Sequence, residues 1–512
     1  MEHKSASPQW RTVLLRMGCA VILLLLAVGI FFWRMYRERA ARPVETQTVV
    51  PTCTERGYTL RKDLETGRIE VTDVVDALGH RFGEWDVLEN PQGVHCGRRK
   101  RICSVCSLQE EQAIYPELAV ARLSLTGSLN GIGKKSEVDM TAVLYDGEQK
   151  MQFDCFATLK YQGHESLAFD KKNYTLKLYR DEAREEKLKL QFSHWNKENK
   201  YILKANYIDP TSCRNLVCAD VWADICKTRD GLPKEFADLS NYGAVDGFPV
   251  ALYINDCFEG LYTLNLHKDD DLFGMEDGQK QAIMISNNFN TPEALFREPA
   301  AFNGVSPWEV EYCGTEDQTW AKDSLNELIA FVMTADDETF RTRLERYLDV
   351  DSAVDYLIAV YALGLTDNGR QNMVLVSYGS PWTASLYDME TAFGLNLDGD
   401  THYNADGFLP VRTADGWDSA TGSLLWDRLL KNFEGQIRAR YAQLRQDVLA
   451  PDALCGRVNA WVGAIPDALY QAEWEAWPRE FAGAEETAQI TEYIRQRIAA
   501  LDAIFMEGET ET

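Results

Sequence analysis

The sequence predicts an α+β protein in three parts, on three observations. An apolar run occupies residues 17–33. A degenerate, cysteine-containing repeat with matching glycine, arginine and glutamate positions recurs at an offset of 40 residues between about residues 51 and 116. From about residue 119 onward, segments of strand-like alternation give way to segments of helical period. The 512 residues are enough for two or three domains. A composition 45% hydrophobic and 11% aromatic is that of a globular chain. The formal net charge of -26 argues against a nucleic-acid binder, because phosphate contacts need a basic surface.

The run MGCAVILLLLAVGIFFW is at the short end of what spans a bilayer. Trp33 and Tyr36 stand where interfacial aromatics belong, and Arg16 and Arg34 bracket the run. No small-residue cleavage site follows, so a membrane anchor over residues 13–34 is preferred to a signal peptide. Residues 1–12 are then a short tail and 35–50 a linker. Lys4, Arg11 and Arg16 before the run balance Arg34, Arg37, Arg39 and Arg42 after it, so charge gives no orientation.

Residues 51–116 form the repeat module. Gly57 matches Gly97, Arg61 matches Arg101 and Glu70 matches Glu110. The underlying unit is C-x3-G-x5-C-x2-C with a downstream Gly-His, which is zinc-ligand spacing. Each copy has lost different ligands. The favoured expectation is therefore a small β-rich spacer with a Cys103–Cys106 pair or free thiols, and zinc is not expected there. A site shared across the copies by Cys53, His80, Cys103 and Cys106 is the sharper alternative. The twelve cysteines show no dense disulfide framework, and Cys213, Cys218 and Cys226 read as small buried hydrophobes on a helix.

The remainder, residues 119–506, opens with VDMTAVLYD, FDCFATLKYQG and NYTLKLY, which alternate as half-buried strands do. The loop between the last two carries Lys171-Lys172. With Lys160 and Lys177 nearby, several ammonium groups are placed to converge on one polyanion. In YILKANYIDPTSCRN a strand runs into a helix start, with Arg214 and Asn215 in a first turn that favours anions. Residues 250–254 and 258–266 form a hairpin across Asn255-Asp256, and Gly260 marks a bulge or a close backbone approach. From residue 423 the chain is mostly helical, and Trp461, Trp474 and Trp477 read as packing.

The segment from Thr366 to Gly394, TDNGRQNMVLVSYGSPWTASLYDMETAFG, concentrates the chemistry. Asp367, four residues and Asn372 introduce a strand. A turn at Gly379-Ser380-Pro381 follows, and residues 382–387 return to deliver Asp388 and Glu390. Two carboxylates side by side repel unless a cation lies between them. An Asp-x4-Asn loop, a hairpin and a carboxylate near Phe-Gly is the layout that phosphoryl transfer uses. It supplies one carboxylate near the acceptor hydroxyl and oxygen ligands for magnesium. Arg370 is placed to stabilise a transferring phosphoryl group. The Gly-rich loop, V-A-I-K and H-R-D of ordinary protein kinases are missing.

These stretches, with VALYINDCFEGLYTL, resemble the spore-coat protein H (CotH-type) atypical protein kinases over about residues 119–505. The resemblance implies a two-lobed kinase-like fold, use of ATP with Mg2+ or Mn2+, and phosphorylation of serine on an unidentified protein substrate. It makes Asp367 a catalytic or metal-binding carboxylate, Asn372 its polar partner, Asp388 a metal ligand, and Lys172 and Arg214 nucleotide or phosphate contacts. Together with the readings above, the candidate catalytic residues are Asp367, Asn372 and Arg370, the metal ligands Asp388, Glu390 and Asn372, and the nucleotide contacts Lys160, Lys172, Lys177, Arg214 and Asn215. Three departures stand out. The family's Gly-x-Ser-Ser loop is Gly163-His164-Glu165-Ser166, the second acid of Asp-x-Asp is Glu390, and Asn368-Gly369 follows Asp367. Relatives of this repeat-plus-kinase type are exported, which places the bulk of the chain outside the cytoplasm. The competing readings are an inactive binding or display module and a protein-adenylylating enzyme.

Overall fold

The computed structural model describes residues 8–40, 43–239, 241–286, 291–379, 381–399, 401, 404–414, 416–479 and 486–506. Most of the expected N-terminal tail (residues 1–7) and Ser380 of the expected turn lie outside the described residues. The chain divides into two compact units, residues 1–90 with 97–114 and residues 91–96 with 115–512.

The first unit begins with helix α1 (Pro8–Ala40). Its segment Leu15–Glu38 has a mean hydropathy of 2.5 and none of its most apolar stretch is buried, so it is long and apolar enough to cross a bilayer. A signal sequence has the same properties. The segment expected as a linker contains a strand instead. Strands β1 (Val44–Val49), β2 (Gly57–Asp63) and β3 (Ile69–Val75) form one antiparallel meander. Strands β4 (Asp86–Glu89), β5 (Gly97–Ile102) and β6 (Gln109–Ile114) form a second. The starts of β2 and β5, and of β3 and β6, each lie 40 residues apart, so the sequence repeat is a repeat of structure.

In the second unit, seven strands close a barrel in the order β10-β11-β13-β12-β7-β8-β9. They are β7 (Ala121–Gly127), β8 (Val138–Tyr145), β9 (Met151–Gln162), β10 (Asn173–Tyr179), β11 (Lys200–Lys204), β12 (Gly247–Ile254) and β13 (Cys257–Leu266). Alternation sends Leu123, Leu144, Leu159, Leu176, Leu203 and Leu264 into its core. Asn255 and Asp256, the expected hairpin turn, both have left-handed backbone (φ 50° and 64°), as a two-residue type I′ loop requires. At Gly260 the pairing shifts register on the partner strand, and a Cβ would lie 2.6 Å from a carboxylate oxygen of Glu473.

A second antiparallel sheet runs β15-β14-β16-β17, from β14 (Ala282–Ser286), β15 (Trp308–Cys313), β16 (Met373–Ser377) and β17 (Thr383–Leu386). Around it are α2 (Arg214–Lys227), α3 (Lys234–Ala237), α4 (Thr319–Thr334), α5 (Asp337–Arg343), α6 (Val350–Leu363), α7 (Leu424–Leu444), α8 (Pro451–Ala464), α9 (Asp467–Ala476) and α10 (Glu486–Phe505). Helix α6 is apolar nearly all round and buried on every side, which makes it the axis of this half. Asp349 caps its first turn through Ser352 N–H at 2.9 Å, and Gly364 in left-handed backbone (φ 67°) ends it. The cysteines Cys213, Cys218 and Cys226 are fully buried at α2, as expected.

Two buried ion clusters lock these elements. Asp355 of α6 accepts from Arg229 and Arg440, each at 2.7 Å. Lys171, just before β10, donates to the carbonyls of Ala205 and Leu261 (2.8 and 2.6 Å) and to Glu473 of α9 at 2.8 Å. Truncating one partner of such a cluster strands the others in a dry interior. Asp355→Ala should therefore cost about 3–5 kcal/mol, measured by denaturant unfolding of the full chain.

Candidate active site

A cleft of about 550 Å³ opens between the outer face of the barrel and the second sheet. The barrel side comes from β9, β10 and β11. Within β11, Tyr201 and Leu203 point into the barrel core, so Lys204 points to the other face. The opposite side comes from the loop after α6 and the segment after β17. Asn173 joins the barrel's parts, accepting from Ala205 N–H at 2.7 Å and donating to Ser166 at 3.2 Å. Gly163 (φ 111°) permits that contact, since a Cβ there would overlap the Ser166 hydroxyl.

Past Gly364 the chain makes a tight turn in which Arg370 and Gln371 N–H groups donate to the Asp367 carbonyl (2.8 and 2.7 Å). Asn368 pins this turn. Its side chain donates to the Tyr387 carbonyl at 2.8 Å, and its carbonyl accepts from Tyr356 of α6 at 2.7 Å. Asn372 N–H donates to the Ser286 carbonyl at 2.7 Å. Strand β17 stops at Leu386, so Asp388 is not carried there by strand alternation. Asp388 and Asn372 instead both hold left-handed backbone (φ 55° and 57°). That conformation costs about 1–2 kcal/mol for a residue with a Cβ, and it aims both side chains into the cleft.

Asp367, Asn372, Asp388 and Glu390 line this one cleft with Lys160. The expected cation between the two acids is a protein ammonium. Lys204 Nζ donates to Asp388 at 2.7 Å and to Glu390 at 2.8 Å. Burial disfavours its charge, but the two carboxylates outweigh that and raise its pKa. Asp367 is pushed up to about 6, first by burial and then by the charges of Asp388 and Glu165. The oxygen donors of Asp367, Asn372, Asp388 and Glu390 are those a hard divalent cation takes.

Other expected contacts lie elsewhere. Lys172 donates to the carbonyls of Leu167 and Phe169, closing its own loop. Lys177 pairs with Glu137 at 2.6 Å, because it sits two residues further from the cleft than Thr175 on the same face. Arg214 is fully buried, bound to Asp209 at 2.5 Å and to the carbonyl of Ala392 at 3.1 Å. Asn215 accepts from Met389 N–H at 2.9 Å, so it shapes the acidic turn from beneath. Arg370 donates to the Ala420 carbonyl at 3.2 Å and faces the Phe408 ring, away from the cleft. A helix start satisfied by its own Asp has no anion to attract, which accounts for Arg214. Lys204 was missed, although a lone lysine ending the apolar strand YILK was its signal.

The fold and site define a chain with a closed barrel, a helical half and an acidic cleft organised by one buried lysine. Residues 159–501, more than half of the sequence, match the family described as CotH kinase protein, and the chain belongs to that family. No curated protein matches it.

The Asp367 environment gives a measurable consequence. Its folded pKa of about 6 lies above the ordinary carboxyl value of 3.8, so the folded state holds the proton more tightly. Stability therefore falls as pH rises through that window, and the cost is fully present above about 6. Asp367→Asn should raise stability at neutral pH by on the order of 1–3 kcal/mol, with the gain vanishing in acid. Thermal unfolding of both proteins across pH checks it.

Proposed function

We propose that this chain is an ATP- and divalent-metal-dependent kinase that phosphorylates serine or threonine hydroxyls of a protein substrate. The observation that carries the reading is the convergence of Asp367, Asn372, Asp388, Glu390 and Lys204 on one cleft. The barrel and the helical half are then the two lobes of an atypical kinase, with the nucleotide between them. Helix α1 is the membrane anchor, and the bulk of the chain lies outside the cytoplasm.

Each group has a role that follows from its placement. Asp367 accepts the proton of the attacking hydroxyl, and its raised pKa makes it a better base than an exposed carboxylate. Asp388, Glu390 and Asn372 would hold the divalent cation, which when bound neutralises charge on the phosphates. Lys204 holds the two carboxylates in one orientation, and on nucleotide binding its ammonium is within the same cleft as the phosphate chain. Lys160, on the rim of the cleft, adds positive charge at the barrel side.

Intact mass of the purified chain after incubation with ATP and Mg2+ or Mn2+ tests this. A gain of about 80 Da per site, one phosphoryl group, that Asp388→Ala abolishes is the expected result. The larger adenylyl increment would make the enzyme an adenylyltransferase. No gain together with no ATP-dependent thermal shift would leave a binding module and end the kinase reading. Because Asp367 must be ionised to act, the rate should fall as pH drops below about 6, and a pH–rate profile of phosphate incorporation reads it.

A further inference from the structure

The repeat module holds a second cluster that the phosphotransfer reading does not use. Cys53, His80, Cys103 and Cys106 bring one donor atom each to a common point, all within 4.8 Å of one another. The expectation of a plain spacer rested on each copy having lost part of its ligand set. The structure reverses the force of that loss, because the surviving ligands of the two copies meet.

The chain is folded to bring them together. Leu78 and Gly79 N–H groups donate to the carbonyls of Thr52 and Cys53 (2.9 and 3.1 Å). A few residues on, Ser104 N–H donates to Arg81 and Gly83 N–H to Ile102 (2.9 and 3.1 Å). Segment 78–83 thus stitches the loop of the first copy to the turn of the second, and His80 lies within the stitch.

The two copies also show what the Cys103 sulfur replaces. Both make the same turn, closed by Gly67 N–H on the Asp63 carbonyl at 2.8 Å and by Ser107 N–H on the Cys103 carbonyl at 2.9 Å. In the first copy the Asp63 carboxylate accepts from Glu65 and Thr66 N–H at 2.9 and 3.0 Å. In the second, Val105 and Cys106 N–H groups face the Cys103 sulfur, and Arg81 N–H donates to it at 3.3 Å. A sulfur thus takes the seat of a carboxylate, with three backbone amides around it that fix its orientation, as partners around a metal's ligands do.

Cys53, Cys103 and Cys106 are free thiols, and their spacing suits a metal. Cys53 Sγ and Cys103 Sγ are 3.8 Å apart, and Cys106 Sγ lies 3.3 Å from His80 Nδ1. Tetrahedral zinc, with bonds of about 2.3 Å to sulfur and 2.0–2.1 Å to nitrogen, sets sulfur–sulfur edges near 3.8 Å and sulfur–nitrogen edges near 3.5 Å. A disulfide needs about 2.05 Å. Moreover, the buried residues among those described in this unit are Cys53, Gly57, Gly97 and Cys103. A module without an apolar core needs another staple.

We propose that Cys53, His80, Cys103 and Cys106 form a structural zinc site that joins the two copies of the repeat. Three soft thiolates and one imidazole select zinc over the hard cations suited to the acidic cleft. Four protein ligands leave no open position, so the metal's role is to hold the fold. His80 and Cys106 are exposed and give the ion its way in.

The test uses the full chain, purified in detergent under reducing conditions, with metal measured by plasma mass spectrometry. Wild type and Cys257→Ser, an exposed cysteine outside the cluster, should each carry one zinc per chain. His80→Ala and Cys106→Ser remove donors without opening a buried interior, and each should reduce zinc to background. Replacement by Co2+ should give the visible bands of a tetrahedral thiolate site in wild type and lose them in both variants. Absence of zinc in wild type with no such spectrum on cobalt addition would overturn the proposal. So would unchanged zinc in both variants, or a Cys103–Cys106 disulfide in peptides mapped without reduction.

Discussion

The buried ammonium of Lys204 is the constraint on which the cleft depends. It ends a barrel strand, yet its partners Asp388 and Glu390 lie in the segment that follows the last strand of the other sheet, 184 and 186 residues away in sequence. An unpaired ammonium at that depth, or two unpaired carboxylates, would be costly. The barrel and the helical half are therefore matched in charge as well as in shape. The same contact keeps two like charges close together, which the backbone alone would not sustain. Asn215 below and Asn368 beside the acidic turn complete the fixation, so the geometry of the cleft is held by neutral amides around one charged bridge.

Much of this was legible in the sequence, and the reasons differ by element. The hairpin at Asn255-Asp256, the close approach at Gly260 and the repeat offset were readable because each is a local rule of backbone or spacing. That Asp367, Asn372, Asp388 and Glu390 share one cleft was readable from the loop and the hairpin that carry them. The cationic residues were not. Lys172, Lys177, Arg214 and Arg370 were judged by charge and proximity in sequence, whereas their fate was decided by which carbonyl or carboxylate lay within reach after folding. Arg214 is the clearest instance, since its neighbour Asp209 neutralised the helix start expected to hold a phosphate. Lys204 went unseen because its meaning depends on partners far along the chain, which no window of sequence contains.

The repeat module shows a related limit. Read copy by copy, each motif is defective, and a count of ligands per copy argues against a metal. Cys53 and His80 belong to the first copy and the stretch after it, Cys103 and Cys106 to the second. The completeness of the set is a property of the pair. Asp63 faces the same amide pattern as Cys103, so one turn holds a carboxylate in the first copy and a sulfur in the second.

The bridge between Lys171 and Glu473 spans 302 residues, and it orders events during synthesis. The barrel's strands emerge from the ribosome long before α9 does. Until then the Lys171 ammonium has carbonyls to bind but lacks the carboxylate it is bonded to, and the backbone around Gly260 lacks the one that accepts from Leu261 N–H. The nascent barrel thus waits with an open seam for the carboxy-terminal helices. A polypeptide stopped short of α9, by a premature codon or a protease, would present that seam to quality control as the mark of an unfinished protein.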